Sequence, residues 1–235
     1  MKNRYLAAGL CILVLMLCVV SACGGGGSAT TSATTGTTPT TTTSPTSTQT
    51  TTSTTTTGNS LRDILGLGAN MESVKYDMSI TMTGEGTITA TIWQKKNKMR
   101  EEMTLEGMTA IIIFDMDEGV MYTYMPPPVN MAYKTTLDSN MLPEGNVGDT
   151  SAIMDYHPNT IGTTSLDGKA CTIIEYDIPG AGSMKQWIWN DTGFPLKTEM
   201  TSGGVKTTIE YRNIDFSDIP DSMFELPEDV EIISI

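Results

Sequence analysis

From Val74 to Thr83 apolar and polar residues alternate without a break. Val74, Tyr76, Met78, Ile80 and Met82 stand at one parity, and Lys75, Asp77, Ser79, Thr81 and Thr83 at the other. A period of two puts successive side chains on opposite sides of an extended chain, so this stretch reads as a strand with one dry and one wet face. Similar runs cover about 87–95, 98–105, 108–114 and 118–125. Turn signals separate them: Gly84-Glu85-Gly86, Lys96-Asn97, Glu106-Gly107, and Asp115 to Gly119. Turns at such short, even spacing leave no room for crossover helices, so the strands should pair as consecutive antiparallel hairpins.

The remaining elements follow the same logic. Ser60-Leu61-Arg62-Asp63 has the form of a capping box opening a short helix, with Leu61, Ile64 and Leu65 on one side and Gly66 and Gly68 ending it. Pro126-Pro127-Pro128 interrupts the strand pattern, which Asn130 to Thr136 resumes before a loop over 137–148. Asp149 or Thr150 is expected to cap a short helix stopped by Pro158. A second meander is expected over 160–166, 169–177, 183–190, 195–201 and 204–213, with Asp167-Gly168 and Gly203-Gly204 as two-residue turns. Ile219 to Phe224 reads as one helical turn and Val230 to Ile235 as an extended end. The expected fold is mainly β (α+β): a strongly curved antiparallel sheet of about ten strands, a half-open barrel, with two or three short helices. It forms one domain, 60–235.

The first 59 residues have another character. Lys2 and Arg4 precede an apolar run from Leu6 to Val20, then Ser21, Ala22 and Cys23. This order is that of a secretory signal peptide, too short to span a membrane comfortably. A cysteine directly after the small residues resembles the lipobox of prokaryotic lipoproteins. That resemblance implies cleavage after residue 22, lipidation of Cys23, and an extracytoplasmic domain tethered to the outer face of the cell membrane. Residues 30–57 contain 19 threonines and no charge. With too little apolar surface to offset ordering entropy, 23–59 reads as a disordered stalk. Loss of Lys2 and Arg4 takes the formal charge from −13 to −15. Such a surface repels nucleic acid, which is excluded as a partner. Cys171 is then the one thiol outside the leader and the anchor, and reads as a small buried hydrophobe.

Several strings in the folded part resemble distant extracytoplasmic members of the LolA/LolB lipoprotein-carrier superfamily. They are Ser73-Val74-Lys75-Tyr76-Asp77-Met78, Ile92-Trp93-Gln94, Met99-Arg100-Glu101-Glu102-Met103 and Met121-Tyr122-Thr123-Tyr124-Met125-Pro126. Toward the C-terminus come Trp189-Asn190, Pro195-Leu196-Lys197, Phe216-Ser217-Asp218-Ile219-Pro220 and Phe224-Glu225-Leu226-Pro227. The resemblance covers about 60–235 and rests on packing motifs. It implies a curved sheet around a hydrophobic cavity, with binding and hand-over of lipid or a lipoprotein acyl chain rather than catalysis.

Residue patterns point the same way. Met78, Met82, Met99, Met103 and Met121 sit at inward parity, where they read equally as ordinary core of a curved sheet or as a surface that accepts varied apolar ligands, which methionine suits. Trp187 and Trp189 share one parity and are candidates for the same cavity or for packing against a helix. No His-Glu-x-x-His, phosphate-cradling glycine loop or Gly-x-Ser-x-Gly elbow occurs, so no catalytic, cofactor or metal residue is assigned. Asp115, Asp117 and Glu118 lack EF-hand spacing and read as turn residues. Two functions are thus expected of this chain. One is a tethered binder of a lipid or acyl chain; the other is an envelope sensor or protein-interaction module, partnered by a lipoprotein or regulator.

Overall fold

The computed structural model describes residues 60–105, 107–137 and 150–235. The leader, Cys23, the threonine-rich tract and most of the expected 137–148 loop lie outside them. Within the described residues, Ser60 caps a helix α1 (Leu61–Gly66), its hydroxyl accepting from the Asp63 amide while the Asp63 carboxylate accepts from the Ser60 amide. This is the expected reciprocal box. A 3-10 turn, Leu67–Asn70, continues it.

Eleven consecutive strands follow, then a twelfth at the C-terminus. They are β1 (Ser73–Met82), β2 (Gly86–Lys95), β3 (Lys98–Leu105), β4 (Met108–Asp115), β5 (Val120–Met125) and β6 (Met131–Thr136). After a 3-10 turn at Ser151–Tyr156 come β7 (Asn159–Leu166), β8 (Lys169–Ile178), β9 (Gly182–Trp189), β10 (Pro195–Ser202) and β11 (Val205–Asp215). A 3-10 turn at Asp221–Phe224 precedes β12 (Glu231–Ser234).

All twelve belong to one sheet, ordered β12-β6-β5-β4-β3-β2-β1-β11-β10-β9-β8-β7. The two meanders are joined at the centre, where β1 pairs with β11 as well as with β2. Two-residue turns at Asp167-Gly168 and Gly203-Gly204 have positive φ at both positions, which matches the right-handed twist of the strands they join. Twelve strands are present where about ten were expected. The count rises because β6 and β12 are short pieces, and β12 pairs parallel to β6 rather than extending a hairpin. Thr150 does not cap the turn that follows it. Its hydroxyl instead donates to the carbonyls of Leu65 and Gly193, joining α1, the Ser151–Tyr156 turn and the β9–β10 turn.

Each half of the sheet is covered on a different side. Ile64 and Leu65 of α1, with Ile153, Met154 and Tyr156, pack on Ile174, Tyr176, Met184 and Ile188. On the opposite side, the segment carrying Ile219, Met223, Phe224, Leu226 and Val230 covers Ile111, Ile113, Tyr124, Ala132 and Trp93. That cover is fastened by Lys95, whose ammonium donates to the Ile219 carbonyl at 2.6 Å and pairs with Asp218 and Asp221. Ile219, Phe224 and Leu226, from the last two of the strings noted in the sequence, therefore close the outer face of β2–β6. Each fully buried Leu or Ile side chain in these layers contributes about 1.5–3 kcal/mol.

Cys171 is wholly buried, its thiol donating to the Lys169 carbonyl, and burial pushes its pKa up. Asp115 takes the turn role expected of it, accepting from the Glu118 amide and pairing with Lys98.

Candidate functional site

In an antiparallel ladder, directly opposite residues present their side chains to the same face. The registers therefore define rows of side chains running across the sheet. One row is Val74, Gln94, Met99, Phe114 and Met121. The next is Tyr76, Ile92, Glu101, Ile112 and Thr123, and the one after is Tyr211, Met78, Ala90, Met103 and Ala110. All lie on the face that carries α1 farther along the sheet, the inner face.

This face gathers the five methionines. Met78, Met99 and Met121 belong to one buried cluster and are 8–9% exposed, with Met82 and Met103 packed against it half-buried. Tyr76, Phe194, Tyr211 and Phe216 close one end with tilted and edge-on ring contacts of 5.3–6.1 Å. Burial fades in the other direction. Ile112 is buried, Ala110 is half-exposed, and Met108 at the end of the same parity is 65% exposed. Ile88, opposite Ile80, is half-buried as well. The apolar face thus has a closed end at the aromatic residues and an open end near the β3–β4 hairpin. Ala90 and Ala110 make the row beside Glu101 low, with methionine side chains standing around them.

Trp187 and Trp189 do not join this group. Ile188 between them is wholly buried on the inner face, so strand alternation sends both tryptophans to the other side. There the ammonium groups of Lys185 and Lys197 stand over the Trp187 ring at 5.1 and 4.7 Å, and Lys169 stands over Trp189 at 5.1 Å. The shared face expected of the two tryptophans is present, but it is not the methionine face. Trp189 also touches Phe216 and donates to Asp191.

Glu101 is the site residue that the methionine pattern alone passes over. It is 5% exposed, lies between Ile92 and Ile112 across the strands, and is flanked by Met99 and Met103 along β3. Burial pushes its carboxyl up to about 7. Several other buried polar side chains on this face have partners. Tyr176 donates to Gln186 at 3.1 Å, Gln186 donates to Thr198 at 3.2 Å, and Thr198 hydrogen-bonds Tyr211, whose pKa is nevertheless pushed up to about 12 by burial. Glu101 makes no hydrogen bond or ion pair with another described residue, and its carboxyl keeps a small exposure, since Arg100 Nε is the one fully buried side-chain polar atom without a partner among the described residues. The signal was present in Met99-Arg100-Glu101-Glu102-Met103, where alternation puts an acid at the methionine parity.

The reverse side of β1–β3 and β11 carries a shallow groove of about 490 Å³, lined by Asp77, Trp93, Glu102, Thr104, Glu210 and Arg212 among others. Its polar rim marks it as a wet surface. Among the described residues no group of three or more His, Cys, Asp or Glu is placed to hold a metal ion.

Neither a family model nor a curated protein matches the sequence. Solved structures do match the fold. An uncharacterized conserved protein from Thermus thermophilus aligns with a TM-score of 0.53 at 11% identity, over 74% of this chain and 98% of that one. The Pseudomonas aeruginosa MucA/MucB complex gives 0.49 at 14% identity, over 74% of this chain and 64% of that one. A LolA superfamily protein from Nitrosomonas europaea gives 0.36 at 14% identity, over 72% and 98%. The fold, one open antiparallel sheet, is shared with the Thermus protein. In this sheet the inner face is the one that bears the methionines and Glu101.

Proposed function

We propose that this chain is a membrane-anchored extracytoplasmic lipoprotein that binds a hydrophobic ligand, a lipid or lipoprotein acyl chain, on the inner face of its sheet and hands it on without chemistry. The observation that carries this reading is the graded apolar face. Methionines from β1, β3 and β5 form one cluster that is closed by aromatic rings at one end and open at Ala110 and Met108 at the other. Unbranched thioether side chains can repack around an entering chain at low cost. Apolar surface left open at the mouth costs about 25 cal/mol per Å² in water, which a ligand would recover. Lipidation at Cys23 and the threonine-rich tether would hold this face outside the membrane within reach of lipids.

A second reading, an envelope sensor or protein-interaction module, has its own support. Met78, Met99 and Met121 are already packed, so part of the inner face is filled by the protein itself. Titration of residues 60–235 with a polarity-sensitive dye and with long-chain lipids separates the two. Saturable binding at micromolar concentration, weakened by Met103→Lys more than by Thr81→Lys in equally folded proteins, supports the carrier. Absence of saturable binding to delipidated protein leaves the interaction module as the better account.

A further inference from the structure

The open end of the methionine face leads to an acid. Entering past Met108 and Ala110, an apolar chain would run along the low row of Ala110, Met103 and Ala90 and lie beside Glu101. No cation faces that carboxyl among the described residues, and its neighbours on the face are Ile92, Met99, Met103 and Ile112. The titratable group that senses it is the Tyr76 phenol, two strands away on the same row and itself held protonated by burial. A buried polar group without a partner costs about 1–3 kcal/mol, and more when charged.

Resting on the carrier reading, we propose that Glu101 is the polar anchor of the ligand site, a neutral carboxylic acid that donates a hydrogen bond to the uncharged carbonyl of an acyl ester or amide. The geometry selects that class. A chain alone would leave the acid unpartnered, and an anionic head group would find no positive charge beside it. A carbonyl oxygen accepts the acid proton and needs no charge transfer into the apolar face. The site keeps its proton up to near neutral pH because burial disfavours the carboxylate.

The test compares two probes on the chain from Gly24 to Ile235: a fluorescent conjugated-polyene fatty acid as its methyl ester, and the hydrocarbon of the same chain. The wild-type protein is expected to bind the ester about tenfold more tightly, the equivalent of one buried hydrogen bond. Glu101→Leu should fold at least as well, since it removes an unpartnered acid, and should bind both probes with the affinity of the hydrocarbon. Glu101→Gln, which keeps an N–H donor, should retain most of the preference. An ester preference that survives in Glu101→Leu, or is missing from the wild type while both probes bind, overturns the anchor and leaves the carrier reading in place. Failure of both probes to bind the wild type overturns the carrier reading itself, and the anchor with it.

Discussion

Trp187 and Ile188 are neighbours in the chain and lie on opposite faces of the sheet, the indole between two lysine ammonium groups and the isoleucine wholly buried beneath α1. This has a spectroscopic outcome. A ligand on the inner face should leave Trp187 emission unchanged, while added iodide should reach Trp187 whether or not ligand is bound. A blue shift that vanishes in Trp187→Phe would place the ligand on the outer face instead.

Glu101 makes stability depend on pH in a direction opposite to that of a salt-bridged acid. Its carboxyl titrates at about 7 in the fold, against an ordinary value of 4.5. The folded state therefore holds the proton that the unfolded state releases, and stability falls as pH rises from about 4.5 to 7, then levels off. The shift corresponds to about 3 kcal/mol. Thermal unfolding of wild type and Glu101→Gln should nearly coincide at pH 4 and separate by pH 8, with the Gln protein melting higher. Parallel curves across that range would mean that Glu101 is ionised and solvated in the fold.

The outer-face cover is tied down by Lys95 at Ile219 and by Arg100, whose guanidinium donates to the Met223 carbonyl. Lys95→Met should free the segment around Ile219 and Phe224, raising hydrogen exchange over 216–235 while β8 and β9 keep their protection. Hydrogen bonds to Asp218 and Asp221 hold the Lys95 pKa above its ordinary value, and Lys95 in turn lowers that of Asp221, so the fastening is lost as pH rises through the raised lysine pKa and also as pH falls through the lowered Asp221 pKa. Uniform protection in the variant would show that apolar contacts alone hold the segment.

At Gly193 the backbone has φ +74, and a Cβ there would run into the Ile64 carbonyl of α1. Gly204 has φ +82 but open space around it. Gly193→Ala should therefore cost clearly more than the roughly 1–2 kcal/mol expected for Gly204→Ala, where only the backbone conformation is strained. Comparing their denaturation midpoints checks the order.

Replacing Cys23 with Ser should abolish fatty-acid labelling and processing at that site, because the thiol is the acceptor. A variant that is still labelled, with unchanged mature mass, would remove the anchor from the proposed function.

Much of the fold is legible because its strands alternate cleanly. Val74 to Met82 declares its inner parity residue by residue, and Asp167-Gly168 announces its turn. What the strand pattern does not contain is the partner of each strand. Nothing local at Glu231–Ser234 indicates a parallel neighbour at β6, and nothing around Lys75 reveals that β1 sits between β2 and β11. The tryptophans are misplaced by parity alone for a related reason. Parity fixes which residues share a face, but which face is inner depends on what covers it, and here Ile188 and α1 decide it. Thr150 suits a cap by residue type, whereas its hydroxyl is used by carbonyls 43 and 85 residues away.

The position of β1 also determines how the domain meets a pull. A load arriving through the residues before Ser60 falls first on α1, which is held by side-chain packing and by Thr150 reaching the Leu65 carbonyl. Those contacts yield one at a time, like a peeled strip. Beyond them the load reaches β1, paired along all ten residues to β2 and bonded to β11 on its other edge. There it acts along the strand and must shear two ladders together. The fold is thus compliant at its N-terminal end and stiff at its centre, so a pull applied before Ser60 would unseat the helix and uncover the end of the sheet beneath it before disturbing the methionine face.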